Sequence, residues 1–353
     1  MTQDLRHRIE DIINRNPQVD DHEIVLRLKQ LLIENELQEN VDKDAKIIAD
    51  IVVENMNHIK DGAVQNNIVK SGFDDFDTQF FGFRLGEFVV LGGRPAMGKT
   101  QFLVNLSLNI SRTIPVLYIT LDLSEYLLTN RFIASVSEIS ADKILRQELD
   151  PFEWVQLDNG FGKLMNHQLF IYDCANTSIE TLKTLCQKQI RENGIKVIMI
   201  DYLQLISSYE HRKYRENEVS HISRELKNIA KENNVCVIVS SQLSRAVEYR
   251  NSIDGKRPLL SDLRESGAIE QDADKVIFIY RPEYYKIFQD QYGNNLQNIA
   301  EFIVAKNRNG KLGEFHLLID SAFTNFRNNK LKETFSFSVD RLLELGGNDN
   351  VPF

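Results

Sequence analysis

The 353-residue sequence is short of the residues that mark special structural classes: it has 3 cysteines, 7 prolines and 1 tryptophan. Cys174, Cys186 and Cys236 show no metal-ligand spacing, and an odd count builds no disulfide framework; they are expected to be small buried apolar groups in a reducing compartment. Seven prolines and 17 glycines exclude collagen-like and proline-rich low-complexity chains. No apolar run approaches the roughly 18 residues of a membrane span, and the opening MTQDLRHRIEDIINRN is too charged for a signal peptide. These absences imply a soluble cytoplasmic protein with no membrane partner. The rest is ordinary: 42% hydrophobic and 26% charged residues exclude a disordered chain. The length suits two domains, or one large α/β domain with an appendage.

A net charge of −9 argues against a nucleic-acid partner only if the charge is evenly spread, and it is not. Residues 1–70 carry 14 acidic against 9 basic side chains, whereas residues 205–257 carry 10 basic against 7 acidic ones. Within the second stretch, Glu210-His211-Arg212-Lys213-Tyr214-Arg215 sets cations around an aromatic. Such a cluster is either a solvated face or a nucleic-acid contact.

Hydrophobic periodicity divides the chain. Residues 23–37 and 44–60 read as helices; in the second, Ile48, Val52, Met56 and Ile59 form one apolar stripe that must pack on this chain or on a neighbouring subunit. A linker with Gly62 and Gly72 follows. Short apolar runs then alternate with helical stretches. Strands are expected at 87–92, 116–121, 169–173, 197–201, 235–240 and 276–280, and helices at about 99–112, 124–137, 178–193 and 216–233, with Thr177 and Glu180 as a capping box for the third. Continuous Val/Ile runs separated by helices indicate a mainly parallel sheet covered on both faces. Residues 301–308 and 314–320, joined through Asn309-Gly310, read as a hairpin added at the sheet edge.

The strongest motif is Gly93-Arg94-Pro95-Ala96-Met97-Gly98-Lys99-Thr100, a G-x-x-x-x-G-K-[ST] run between a strand and a helix. Its glycines let backbone N–H groups face phosphates at a helix N-terminus, with Gln101 next in the helix. Lys99 would neutralise the β/γ-phosphates and Thr100 would hold Mg²⁺, so ATP is the expected ligand. Asp201 ends the run Val197–Asp201, where it is either a turn residue or a second Mg²⁺ group behind the P-loop. Lys306 and Arg308 stand two positions apart on an expected strand and hence on one face. They are surface cations, or they reach phosphates bound by an adjacent subunit, which would require a ring or filament.

With these motifs in view, the chain from about Ser71 to Arg327 resembles the motor domain of DnaB-type replicative helicases, a RecA-like hexameric family. The resemblance rests on SGFDDFD (71–77), GRPAMGKT, Asp201-Tyr202-Leu203-Gln204-Leu205, Ser241-Gln242-Leu243, SDLRESGAIEQDAD (261–274) and AKNRNGKLGEF (305–315). It implies an α/β RecA-like ATPase over residues 71–330, preceded by a helical extension (1–43) and a linker helix and linker (44–70), and followed by a tail (331–353). It further implies an ATP-hydrolysing helicase that translocates on single-stranded DNA as a homo-oligomeric, hexameric ring with other replication proteins. In that frame Asp201 joins Thr100 at Mg²⁺, Gln242 senses the γ-phosphate, and Arg308 assisted by Lys306 acts in trans. Arg264, Glu265 and Gly267 follow the DNA backbone, joined by Arg212, Lys213 and Arg215.

Two departures qualify the resemblance. The family's catalytic Glu position holds Asp122, in Thr120-Leu121-Asp122-Leu123-Ser124, and Asp is one methylene shorter. A displacement of about 1 Å can cost on the order of a hundredfold in rate. The alternative is therefore a nucleotide-switched DNA-binding or assembly ATPase; a RecA-like recombinase fits the 261–274 run less well. The 70 residues before Ser71 are also fewer than the family's collar domain needs, which puts primase recruitment in doubt. Gly346–Phe353 resembles the acidic tip of single-stranded-DNA-binding proteins, or is a plain polar tail.

Overall fold

The computed structural model describes residues 47–60, 67–209, 214–250, 254–263 and 267–329, with Ile9, Glu10, Ile24, Arg27, Leu28 and Leu31. The chain divides into two units, Met1–Gln65 and Asn66–Phe353. In the first, α1 (Ile48–Lys60) carries the expected stripe, and Ile48, Val52, Met56 and Ile59 are all exposed. Of the helix expected over 23–37, the described positions Ile24, Arg27, Leu28 and Leu31 are helical. The tail lies outside the described residues.

The second unit runs β1 (Ile68–Val69), α2 (Asp74–Phe80), β2 (Phe83–Arg84), β3 (Phe88–Gly93), α3 (Lys99–Ser111), β4 (Val116–Thr120), α4 (Glu125–Ser137), α5 (Ala141–Arg146), α6 (Pro151–Leu164), β5 (Leu169–Asp173), β6 (Thr177–Ser178), α7 (Ile179–Asn193), β7 (Val197–Asp201), β8 (Ile206–Ser207), α8 (Arg215–Asn233), β9 (Cys236–Gln242), α9 (Gly267–Asp272), β10 (Lys275–Tyr280), β11 (Ile299–Asn307), β12 (Gly313–Ile319) and β13 (Phe326–Asn328). Nine strands form one sheet in the order β13-β12-β11-β10-β3-β9-β7-β4-β5. From β10 to β5 every pairing is parallel. The β11–β12 hairpin joins β10 antiparallel, and β13 extends it to form the sheet edge.

The unbroken apolar runs have a direct cause. Side chains of a strand alternate between faces, and here both faces are covered. Val89 and Leu91 of β3, Val197 and Met199 of β7, and Cys236 and Ile238 of β9 pack with α3 and α4 residues such as Phe102 and Phe132. Phe88, Val90, Ile198, Ile200, Val237 and Val239 enter the opposite core with Ile179 and Leu182 of α7 and Ile222 and Leu226 of α8. The three cysteines are unpaired, with Cys186 and Cys236 fully buried. Burial pushes the Cys174 thiol up to about 11 and the Cys186 thiol up to about 12, so both stay protonated and unreactive near neutral pH.

Two local details differ from the sequence-based expectation. The cap of α7 is Ser178, whose hydroxyl accepts the Thr181 N–H at 3.2 Å, not Thr177; both residues pair with β8. Glu180 Oε1 instead accepts Ser208 Oγ and the Tyr209 N–H. Helices α2, α5, α6 and α9 are additional to the expected set. The α6 start is a capping box: Glu153 N–H donates to Asp150 Oδ1 at 2.8 Å, Glu153 Oε2 accepts the Asp150 N–H at 3.0 Å, and Pro151 opens the helix.

The start of β10 buries a charge. Lys275 Nζ donates to the Gly82 carbonyl at 2.7 Å, lies 3.4 Å from Glu87 Oε2, and faces the rings of Phe76 and Phe83. Lys275→Ala leaves the buried Glu87 carboxylate without its cation and is expected to cost about 3–5 kcal/mol. Chemical denaturation measures this, and a loss under about 1 kcal/mol would refute the assignment of the pair as a mutually dependent buried unit.

Candidate active site

The carboxyl ends of β3, β9, β7 and β4 lie side by side, the place where parallel α/β sheets bind ligands. The P-loop leaves β3 there. Gly98 adopts φ +96°, and a side chain at Gly93 would press on the Lys99 stem at 3.2 Å. No side chain caps α3, so its first N–H groups stay available to an anion. Lys99 Nζ donates to the carbonyls of Gly93 (2.8 Å) and Arg94 (3.1 Å). Burial lowers its pKa to about 8, partly opposed by the Asp201 charge. Thr100 follows it in the first turn of α3.

The other P-loop side chains hold the loop in place. Arg94 is buried: Nη1 donates to the Leu243 carbonyl at 2.8 Å, and Nε and Nη2 bind Glu248 Oε1 at 2.9 and 2.6 Å. Met97 packs into the core, and Gln101 Nε2 donates to the Thr324 carbonyl at 2.6 Å. Pro95 and Ala96 are exposed. The motif therefore offers backbone and Lys99 to a phosphate, while Arg94 and Gln101 tie it to the segments after β9 and before β13.

Asp201 closes β7, buried; Ser240 Oγ donates to its Oδ1 and Tyr118 Oη to Oδ2 at 3.4 Å. Burial and the Asp201 charge hold the Tyr118 hydroxyl well above its ordinary pKa. Gln242 ends β9 in register with Gly93. Gln204, quoted above only as part of a motif, links these ends: its Oε1 accepts the Gln242 N–H at 3.1 Å, and its Nε2 donates to Ser241 Oγ at 2.9 Å. Asp122 is exposed two residues beyond β4, in a turn pinned by Thr120 Oγ1, which donates to the Leu123 carbonyl at 2.6 Å. Burial, then the charges of Asp122 and Asp201, raise the Tyr202 pKa.

Lys306 lies on β11, whereas Arg308, expected on the same strand, stands one residue past its end in a turn; both side chains still reach the Gln271 carbonyl. Lys306 Nζ donates to the carbonyls of Glu270 and Gln271, the latter at 3.1 Å, and Arg308 Nη2 also donates to the Gln271 carbonyl. Desolvation and the neighbouring Arg308 charge lower the Lys306 pKa. Their location is informative: Arg308 N–H donates to the Asp274 carbonyl at 2.8 Å, and Asp274 N–H to the carbonyl of Phe88, the first residue of β3. The two cations stand at the amino end of β3 and the P-loop at its carboxyl end, roughly 17 Å away along the strand.

Arg212, Lys213, Arg264 and Glu265 lie outside the described residues. Arg215 is committed within the chain, to Glu218 at 2.7 Å and the Gln204 carbonyl at 2.8 Å. A side chain at Gly267 would meet nothing within 4 Å, so no contact among the described residues demands glycine there. Sequence reasoning missed Arg281. Its Nη1 is 3.5 Å from the Ala96 carbonyl of the P-loop, and its guanidinium lies 4.8 Å from the centre of the Phe323 ring. A basic residue directly after a strand beside the P-loop strand was the available signal.

A parallel sheet with a P-loop, a strand-end Asp and a strand-end Gln at the carboxyl ends of neighbouring strands defines a RecA-like P-loop fold. Residues 68–328 match the DnaB-like helicase C terminal domain family, and the chain belongs to that family. It is 38% identical over 292 residues to the replicative DNA helicase DnaB of Rickettsia typhi, covering 76% of this chain and 58% of that protein. To the replicative DNA helicase DnaB of Geobacillus stearothermophilus it is 36% identical over 291 residues, covering 80% and 62%. The chain thus spans less than two thirds of the length of these curated relatives. Among solved structures, one of an isolated ATPase domain superimposes with a TM-score of 0.73 at 36% identity, over 81% of this chain and all of that one. A DnaB-like replicative helicase described with its interactions with primase gives 0.75 at 32% identity, over 92% and 76%.

Proposed function

We propose that this chain is an ATP-hydrolysing ring helicase subunit that moves along single-stranded DNA during replication. One observation carries the reading: the paired cations Lys306 and Arg308 sit at the far end of β3 from the chain's own nucleotide site. A finger so placed serves the nucleotide of a neighbouring subunit, and a closed ring satisfies every subunit at once. The exposed stripe of α1 is a surface through which such neighbours would associate.

In this reading the P-loop amides and Lys99 hold the phosphates, and Arg281 with Phe323 offers a planar surface to the base. Thr100 and Asp201 fit Mg²⁺, a hydroxyl and a carboxylate being hard oxygen ligands. No cluster of three or more His, Cys, Asp or Glu that could hold a metal ion occurs among the described residues. When bound, Mg²⁺ would neutralise charge on the phosphate oxygens. Asp122 accepts the proton of the attacking water, Arg308 of the adjacent subunit stabilises the charge on the transferred group, and Gln242 conveys the phosphate's presence through Gln204 toward the segments after β7 and β9. Those segments contain Arg212, Lys213 and the 264–267 run. DNA-backbone binding of this kind tolerates any sequence and weakens with salt. No helix among the described residues is long and apolar enough to cross a membrane.

The exposed, short Asp122 favours a second reading, a nucleotide switch that scarcely hydrolyses. ATP turnover with and without single-stranded DNA, alongside particle mass in Mg·ATP, separates the two. The motor reading expects DNA-stimulated turnover from a hexamer-sized particle. It also expects Asp122→Asn to reduce turnover about a hundredfold or more. Nucleotide-dependent DNA binding without turnover would establish the switch instead.

A further inference from the structure

We propose that Asp274 is a positioning residue for Arg308, holding the guanidinium in the orientation from which it meets the neighbouring subunit's nucleotide. This rests on the reading of Arg308 as a finger acting in trans.

Asp274 is 6% exposed and its carboxylate is fully engaged. Oδ2 accepts the Phe88 N–H at 2.8 Å and the Lys227 ammonium of α8; Oδ1 accepts Arg308 Nη1 at 3.3 Å. Its backbone is equally tied, donating to the Phe88 carbonyl at 2.8 Å and accepting the Arg308 N–H at 2.8 Å. The carboxylate is thus fixed by β3, by α8 and by the start of β10 before Arg308 is considered. Arg308 takes its second anchor from the Gln271 carbonyl at the end of α9. Two of the five guanidinium donors are spent on these two acceptors, and the side chain remains 46% exposed.

An arginine bound in this way is held in one conformation, partly exposed, with donors left over for an anion. A long side chain with many rotamers, left untethered, would have to be ordered in each catalytic cycle; one held in advance does not. The Lys227 and Phe88 contacts of the same carboxylate are enough to explain a purely structural Asp274. Its Oδ1 contact with Arg308 is what the positioning role adds.

The test is a double-mutant cycle on the full chain with single-stranded DNA and radiolabelled ATP, so that residual rates are readable. Asp274→Asn is expected to lower kcat about tenfold, with KM, nucleotide affinity and particle mass unchanged. In an Arg308→Ala background the same substitution is expected to cost nothing further. Lys227→Met removes the other cation from the carboxylate without touching Arg308; it should lower the melting temperature and keep kcat within about twofold. If Asp274→Asn does not assemble, Asp274→Glu, which retains the charge but shifts the carboxylate by one methylene, takes its place with the same expected pattern. Equal fractional losses in both backgrounds, or a loss of turnover in Lys227→Met as large as in Asp274→Asn, would overturn the proposal. Full turnover in Arg308→Ala alone would instead sink the finger reading beneath it.

Discussion

Arg308→Ala lowers DNA-stimulated ATP turnover by about a thousandfold or more while nucleotide affinity stays within about threefold. The magnitude follows from the charge that an arginine finger stabilises in phosphoryl transfer, a contribution of roughly 10³–10⁵ in kcat. The sparing of affinity follows from the fold. Arg308 is bonded to Asp274, which is bonded to the first residue of β3, whereas the phosphates would sit beyond the last. Removing the side chain therefore leaves Lys99, the P-loop amides and Asp201 of the same chain unaltered. The measurement is kcat beside an independent binding titration with a fluorescent ATP analogue. A comparable fall in both would mean that Arg308 supports its own subunit's site, and the trans arrangement would be wrong.

Lys99→Met is expected to weaken ATP binding about a hundredfold or more, and the wild type carries a pH signature that this variant lacks. Burial holds the free Lys99 ammonium at a pKa of about 8, below the ordinary lysine value of 10.5. Bound phosphate favours the ammonium and raises that pKa. Below pH 8 the group is already charged, so binding takes up no proton and affinity is flat. Above pH 8 binding must take up a proton, and affinity falls toward about tenfold per pH unit. Folding responds with the opposite sign. Between pH 8 and 10.5 the unfolded chain holds more protons at Lys99 than the folded one, so this residue's contribution to stability improves as pH rises through the window. Calorimetric titrations at about pH 7 and pH 9 in two buffers of different ionisation enthalpy report the proton uptake directly. Equal affinity and no uptake at the higher pH would show that Lys99 does not meet the phosphates.

Much of the candidate site is encoded in short stretches. The P-loop needs eight consecutive residues, Asp201 and Gln242 each end an apolar run, and the hairpin carrying Lys306 and Arg308 is announced by alternation and by Asn309-Gly310. Signals of this kind act over a few residues, through backbone conformation and side-chain period, and β3, β4, β5, β7, β9 and β10 fall within two residues of those runs, whereas the two-residue strands β6 and β8 match none of them. Where two local signals competed, the nearer reading failed. Thr177 and Ser178 are both capping residues and both pair with β8, a strand nearly 30 residues on, but only the Ser178 hydroxyl meets the Thr181 N–H.

Sequence alone thus determined that a phosphate-binding motif stands between a strand and a helix, and that Lys306 and Arg308 lie at the end of one strand of a hairpin. Tertiary structure alone decided who meets whom. Arg94 turns from the phosphates to Glu248, 154 residues away, and Gln101 to Thr324, 223 residues away. The Asp274 carboxylate joins β3, α8 and Arg308. Above all, the order of strands puts Arg308 at the opposite end of β3 from the P-loop. Such pairings are set by which surfaces bury together, a property of the whole packed sheet that no window of neighbouring residues contains.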